Sequence, residues 1–238
     1  MRRNLTRTGL ARKQRQYRYI IESWSDRLPD TPAFILGNGP SLNTQPIELI
    51  KDYFTIGINR IFKKFDPTIL IWQDISFWNT EYQNISNTQS IKIVRDVADP
   101  RKLYYNFHLK GGPYKFEPTT PHILYGRGST GPLAVQLAVS FGCRPIVLLG
   151  MDCKRDSENG QSDFWGNNKH WTDSTLSNCL LGLISIKEQC PVEVYNCSNN
   201  DLWTFVELKE ILAQINISHK RNRKSYVSQI LNISEKSS

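Results

Sequence analysis

The run Ala33-Phe-Ile-Leu-Gly-Asn-Gly-Pro-Ser-Leu42 constrains the fold more than any other part of the sequence. A short apolar segment stops at Gly37-Asn38-Gly39-Pro40-Ser41, and an amphipathic segment follows. Unbroken apolarity suits a strand buried on both faces, and the abrupt polar stop suits a tight turn into a helix. Gly37 and Gly39 can take positive φ and admit a ligand close to the backbone, and Pro40 fits a first helical turn, where no N–H is needed. Such a turn is expected to leave backbone N–H groups free at a helix amino end, where phosphate binds well. Asn38 and Ser41 add side-chain hydrogen bonding at the same spot. The pattern lacks the third glycine of G-x-G-x-x-G and the Gly-Lys-Ser/Thr of a P-loop. It points to a nucleotide or nucleotide-sugar phosphate, although an unliganded strand-to-helix turn uses the same residues.

The same unit recurs. Tyr53–Ile58, Pro67–Gln73, Ile91–Arg95, Pro145–Leu149 and Val192–Tyr195 read as strands, and Leu103–Leu109, which alternates aromatic and polar residues, as an edge strand. Pro46–Lys51, Gly131–Phe141, Asp173–Gln189 (capped by Thr172 or Asp173) and Asp201–Ile215 read as helical, with loops over 110–127 and 153–169. This alternation predicts an α/β, Rossmann-like fold: a mostly parallel sheet with helices on both faces. Ligands of such sheets bind beyond the carboxyl ends of the strands. Gly37–Ser41, Asn59-Arg60, Gln73-Asp74, Gly150–Cys153 and Cys197–Asn200 are therefore expected around one crevice, joined by residues 128–131.

Charge divides the 238 residues into three parts. Residues 1–28 carry eight Arg or Lys against two acids, and residues 219–238 carry five against one, whereas the whole chain is only +8. We read a basic N-terminal extension (1–28), a nucleotide-sugar-binding catalytic domain (29–218) and a basic C-terminal tail (219–238). Tyr17, Tyr19, Ile20, Ile21 and Trp24 give the first extension an apolar face suited to a helix packed on the body. Basic ends contact polyanions such as nucleic acid, anionic lipid or acidic glycan, or simply stay solvated. No apolar run reaches the ~18 residues of a membrane span, and no apolar core follows the basic N-terminus as in a secretory signal. Five cysteines without a C-x-x-C pair read as reduced, packed thiols, and a cytoplasmic location is expected.

Several groups could carry chemistry. Gly126-Arg-Gly-Ser-Thr-Gly131 is a second glycine-rich helix entrance, where Ser129 and Thr130 offer hydroxyls and Arg127 could neutralise phosphate. A capped helix start would use the same hydroxyls. Asp152 ends a buried strand and could accept ribose or sugar hydroxyls, or be satisfied by neighbouring N–H groups. His170 follows a polar loop, precedes a helix and sits beside Trp171; an imidazole there can take a proton near neutral pH. There is no Asp-x-Asp and no His/Cys/Asp cluster at ligand spacing, so no tightly held metal or other cofactor is expected.

In order, the chain contains Gly-Asn-Gly-Pro-Ser-Leu, Ile-Asn after the second strand, Ser-Thr-Gly opening a helix, Leu-Gly-Met-Asp, a polar lid, His-Trp before a helix, and Val-Glu-Val-Tyr-Asn-Cys-Ser. Over roughly 32–205 this resembles the bacterial sialyltransferases that build lipooligosaccharide (glycosyltransferase family 42). It is also similar to the wider superfamily of motility accessory factors and archaeal hydroxymethylpterin pyrophosphokinases. The resemblance implies a nucleotide-sugar co-substrate, CMP-linked in the sialyltransferases. Gly37, Asn38, Gly39 and Ser41 would hold phosphate and ribose, and Asn59 the nucleotide or leaving phosphate. Ser129, Thr130 and Gly131 would line the donor pocket with Asp152. His170 would be the general base, and the lid at 153–169 would close over the donor. That family's lid supplies tyrosines to the leaving phosphate; this one has none, and Arg127, Lys154, Arg155 and Trp165 stand in their place. Cationic groups can stabilise a departing phosphate electrostatically. The expected function is a metal-independent inverting glycosyltransferase acting on a hydroxyl of a polyanionic acceptor: a hydroxymethylated base in DNA, or a glycolipid or oligosaccharide. The alternatives are an ATP-dependent pyrophosphokinase, with Asp74 and Asp152 as candidate Mg²⁺ ligands, and a non-catalytic nucleotide-binding module.

Overall fold

A computed structural model describes residues 21–111, 116, 120–126, 128–167 and 172–232. Its centre is one eight-stranded sheet: β1 (Ala33–Leu36), β2 (Phe54–Ile58), β3 (Ile69–Trp72), β4 (Ile91–Arg95), β5 (Tyr105–Lys110), β6 (Ile123–Tyr125), β7 (Ile146–Leu149) and β8 (Val194–Asn196). The order is β6-β5-β4-β3-β2-β1-β7-β8, and every pairing is parallel. The chain builds outward from β1 to β6 on one side, then returns to lay β7 and β8 on the other. Strand order therefore reverses between β1 and β7, where open α/β sheets present a ligand crevice.

Both faces are covered, which is why the central strands are apolar without alternation. Ala33 and Ile35 point into one core with Ile146 and Leu148, and Phe34 and Leu36 into the other with Val147 and Leu149. The first face is closed by helices α2 (Gly131–Ser140) and α3 (Asp173–Gln189). The second is closed by α1 (Ile75–Ser86), α4 (Leu208–Gln214) and short 3₁₀ turns. Thr172 caps α3, its Oγ1 accepting from the Thr175 N–H at 3.2 Å.

Three local expectations are corrected. The segment after β1 is not one helix but two single 3₁₀ turns, Pro40–Asn43 and Ile47–Ile50, because Pro46 interrupts it and the connection to β2 is short. The 110–127 loop contains β6, so the Leu103–Leu109 run is not the edge; β6 pairs through Ile123–Tyr125 beyond it. Residues 75–86, which carried no assignment, form α1, with Phe77, Trp78, Glu81 and Ile85 buried.

The two polar ends also meet the body. Trp24 and Leu28 are buried in the first core. The expected tail at 219–238 contains a helix, α5 (Arg223–Leu231), that buries Tyr226 and Ile230 in the same core. Arg223 is consumed there: its Nη1 donates to Asp66 Oδ2 at 2.6 Å, so this charge is spent within the fold. Burial opposes ionisation of Asp66, but hydrogen bonds from Ser90, the Gln89 N–H and Arg223 outweigh it and hold the carboxyl below its usual range.

Candidate active site

A crevice of about 300 Å³ opens at the strand-order reversal, the lower end of the size range for small-molecule sites. Its wall includes Gly37–Gly39 after β1, Ile58–Arg60 after β2, Gln73 and Asp74 after β3, and Gly150–Cys153 after β7. Gly128–Gly131 before α2 and Trp165 with Asp163 from the polar loop complete it, together with one face of α3. Position after a strand located the residues following β1, β2, β3 and β7, and the helix entrance located Gly128–Gly131; Cys197–Asn200 and Ser41, also expected here, are not on the wall.

The first glycine turn is closed, contrary to expectation. The Gly37 N–H donates to the Leu149 carbonyl (2.7 Å), and the Gly39 N–H to the Gly150 carbonyl (2.8 Å). The Ser41 N–H donates to Asp152 Oδ2 (2.9 Å) and its hydroxyl to Oδ1 (2.6 Å). The anion at this helical turn is thus the protein's own carboxylate. Neither glycine has positive φ. They are needed because a Cβ on Gly37 would lie 2.1 Å from the Gly150 carbonyl oxygen, and one on Gly39 would lie 2.3 Å from Asp152 Oδ2. Asp152 is 3 % exposed and also accepts from the Asn199 N–H at 2.9 Å, so both its oxygens are occupied. It ties the ends of β1, β7 and β8 together rather than offering an acceptor to a ribose.

The second entrance is open. Gly128 takes φ +77°, which turns the chain into α2. Thr130, at the N-cap, makes no side-chain capping bond. Its hydroxyl instead accepts from Gln73 Nε2 at 3.2 Å, which fixes Thr130 against β3. No side chain caps this helix start, Pro132 brings no N–H, and of the first-turn residues Gly131 lies on the crevice wall. Ser129 Oγ hydrogen-bonds to Cys179, which reaches the wall from α3 beside Cys153. The Cys153 thiol is pushed well up by its hydrogen bond with Cys179 and by burial, while those bonds draw Cys179 down. Cys153 adopts φ +53°, an uncommon conformation for a residue with a side chain.

Acceptors lie on the other side. Asn38 is buried; its Nδ2 donates to the Ile58 carbonyl at 3.0 Å, and its Oδ1 has no partner among the described residues. Asn59 sits at φ +49°, and its buried Oδ1 is likewise unpartnered. Asp74 lies exposed within the crevice; desolvation by the surrounding protein raises its carboxyl, with Arg95 opposing.

The remaining expected residues separate. Trp165 lines the crevice, beside Phe164, whose N–H donates to the Asn38 carbonyl at 2.9 Å and docks the polar loop onto the first turn. Lys154 and Arg155 are not on the wall; they pair with Asp201 (3.0 Å) and Asp173 (3.7 Å). Arg127 and His170, with Trp171, lie outside the described residues. Arg60 was placed at the crevice by its strand but given no role; Cys179, in mid-helix, carried no sequence signal. Among the described residues, no group of three or more His, Cys, Asp or Glu is placed to hold a metal ion, and no helix is long and apolar enough to cross a membrane.

A family model described as 6-hydroxymethylpterin diphosphokinase MptE-like matches residues 10–158, which span both glycine turns and Asp152. No curated protein matches the chain.

Proposed function

The chain belongs to the 6-hydroxymethylpterin diphosphokinase MptE-like family, and from that premise we propose that it is a nucleotide-dependent transferase that holds a nucleotide phosphate ester in the switch-point crevice. One observation carries this reading: the two sides of the crevice have opposite hydrogen-bonding character. The start of α2 has no side-chain cap and brings Gly131 to the wall, while the Asn38 and Asn59 side-chain oxygens lie buried without a donor among the described residues. A buried polar group left unpaired costs about 1–3 kcal/mol, so a ligand that supplies the missing donors recovers it. A nucleotide matches both sides, its phosphate accepting from the helix end and its ribose or base donating to the asparagines.

Within that class we favour glycosyl transfer from a nucleotide sugar, CMP-linked as in the sialyltransferases, to an acceptor hydroxyl. The hydroxyl oxygen attacks the anomeric carbon, the bond to phosphate breaks, and the electron pair leaves on the phosphate oxygen. The hydroxyl proton passes to His170. The seven basic residues of the first twenty, unaccompanied by acids, suit a polyanionic acceptor such as a hydroxymethylated base in DNA or an anionic glycan. A second reading, diphosphoryl transfer from ATP, is favoured by the family's description. Mg²⁺ binds through one or two carboxylates plus phosphate oxygens. Asp74, exposed in the crevice, fits that need better than Asp152, which is buried and already accepts three bonds from Ser41 and Asn199. When bound, the metal would offset phosphate charge.

A thermal-shift panel of nucleotides and nucleotide sugars tests the class, since a ligand at 100 times its Kd adds about 2.7 kcal/mol of stability. Stabilisation by none of them rejects it. Turnover then separates the readings: EDTA silences diphosphoryl transfer and spares glycosyl transfer, and His170→Ala retains donor binding while losing at least about a hundredfold in transfer. Unchanged transfer in that variant removes His170 from the role.

A further inference from the structure

We propose that Arg60 is the phosphate-binding cation of the crevice, held in place by Glu81 and by two aromatic rings. The proposal rests on the nucleotide reading above and assigns a residue that neither the glycine turns nor the family resemblance supplied.

Among the described residues lining the crevice, Arg60 is the only Lys or Arg, facing Asp74, Asp152 and Asp163. A wall with that balance repels a phosphate unless a cation offsets it, and Arg60 is placed to do so. Its side chain is fixed from several directions. Nε donates to Glu81 Oε1 at 2.7 Å, and Nη2 reaches the Thr80 hydroxyl at 3.4 Å. The guanidinium carbon lies 5.7 Å from the ring centres of both Phe77 and Trp165. Those distances are within cation–π range, and the contacts join the 3₁₀ turn after β2 (Asn59–Lys63) to α1 and to the polar loop. Among the described residues Nη1 has no acceptor, and Nη2 has only a long one. A guanidinium anchored through Nε, with its far edge unused, is suited to two parallel bonds to phosphate oxygens.

Glu81 makes the arrangement more than a surface ion pair. Its side chain is 6 % exposed, against 24 % for Arg60. Burial opposes its ionisation, but hydrogen bonds from Arg60, Lys63 and Asn84 outweigh this and hold the carboxyl below its usual range. Glu81 stays anionic and directs Arg60, while Lys63 and Asn84 keep it partnered if Arg60 is removed. Glu81 is a positioning residue; Arg60 would touch the ligand. The sequence hides this pair, because Glu81 lies one helix away and on a segment without an evident motif.

The test compares each nucleoside 5′-monophosphate with its parent nucleoside, for the four common bases, by calorimetry on the full chain. In the wild type the best monophosphate should bind more tightly than its nucleoside. Arg60→Gln should weaken that monophosphate by about tenfold or more and leave the nucleoside unchanged. Arg60→Lys should retain part of the preference, and Glu81→Gln should lose less than Arg60→Gln. The double variant Arg60→Gln/Glu81→Gln, which strands no buried carboxylate, should match Arg60→Gln. If Arg60→Gln or the double variant keeps the full monophosphate preference, Arg60 is structural and the proposal fails while the nucleotide reading stands. A wild-type chain that binds no nucleotide overturns the reading and the proposal together.

Discussion

The turn after β1 and the turn before α2 both combine glycines with small hydroxyl residues, both lead into a helical segment, and both border the crevice. Their backbones are used in opposite ways. After β1, the N–H groups of Gly37, Gly39 and Ser41 all end on protein acceptors, and the acceptor at the helical turn is the Asp152 carboxylate. Before α2, no side chain caps the helix, and the Thr130 hydroxyl is turned to Gln73. The first turn is a joint between neighbouring strands, and the second leaves its helix start without a side-chain cap at the crevice. Glycine in such a motif can answer to a ligand or to a neighbouring backbone, and only the packing around it tells which.

The largest expected effect tests the joint. Gly37→Ala or Gly39→Ala should cost about 3 kcal/mol or more, because the added Cβ meets backbone or a held carboxylate. Gly131→Ala meets at its nearest the flexible end of Met151, Sδ at 3.0 Å, and should cost less than about 1 kcal/mol. Chemical denaturation of the three variants decides, and equal losses would erase the distinction. Next, Asp152→Ala leaves the Ser41 and Asn199 N–H groups without their acceptor and should cost about 1–3 kcal/mol. If stability is unchanged and phosphate affinity falls instead, Asp152 belongs to the ligand site and not to the joint.

Thr130→Ala should do the reverse, leaving stability within about 1 kcal/mol while weakening nucleotide monophosphate several-fold in a binding titration. The smallest effect concerns pH. Desolvation raises the Asp74 carboxyl, with Arg95 opposing, so the group is neutral below that raised value and anionic above it. Phosphate binding at the open side should therefore weaken by less than about tenfold as pH rises through it. Asp74→Asn should flatten that change; a profile identical to wild type would place Asp74 outside the reach of the ligand.

Strand positions were readable because the central strands are almost wholly apolar, and residues ending β1, β2, β3 and β7 fell at one crevice; Cys197–Asn200 after β8 did not, being held behind its wall by bonds to Met151 and Asp152. Helix α1 escaped notice because polar Asn, Thr and Gln dilute its apolar stripe of Phe77, Trp78 and Ile85. β6 escaped because three residues bounded by Gly and Pro look like a loop until a neighbouring strand supplies hydrogen-bond partners. The C-terminal segment looked like a tail because its charge is counted in sequence, whereas Arg223 finds Asp66 only in the fold.

The amino-acid sequence by itself determined the α/β architecture, the parallel sheet and the set of turns that meet at its carboxyl edge. Periodicity and chain reversal are local properties, and a short peptide already expresses them. Tertiary structure alone decided which glycine turn is closed, where Asp152 spends its hydrogen bonds, and that Arg60 stands between Phe77 and Trp165 on a buried glutamate. Hydrogen-bond saturation and burial depend on groups more than a hundred residues apart, such as Ser41 and Asp152, and no local pattern encodes which of them will meet.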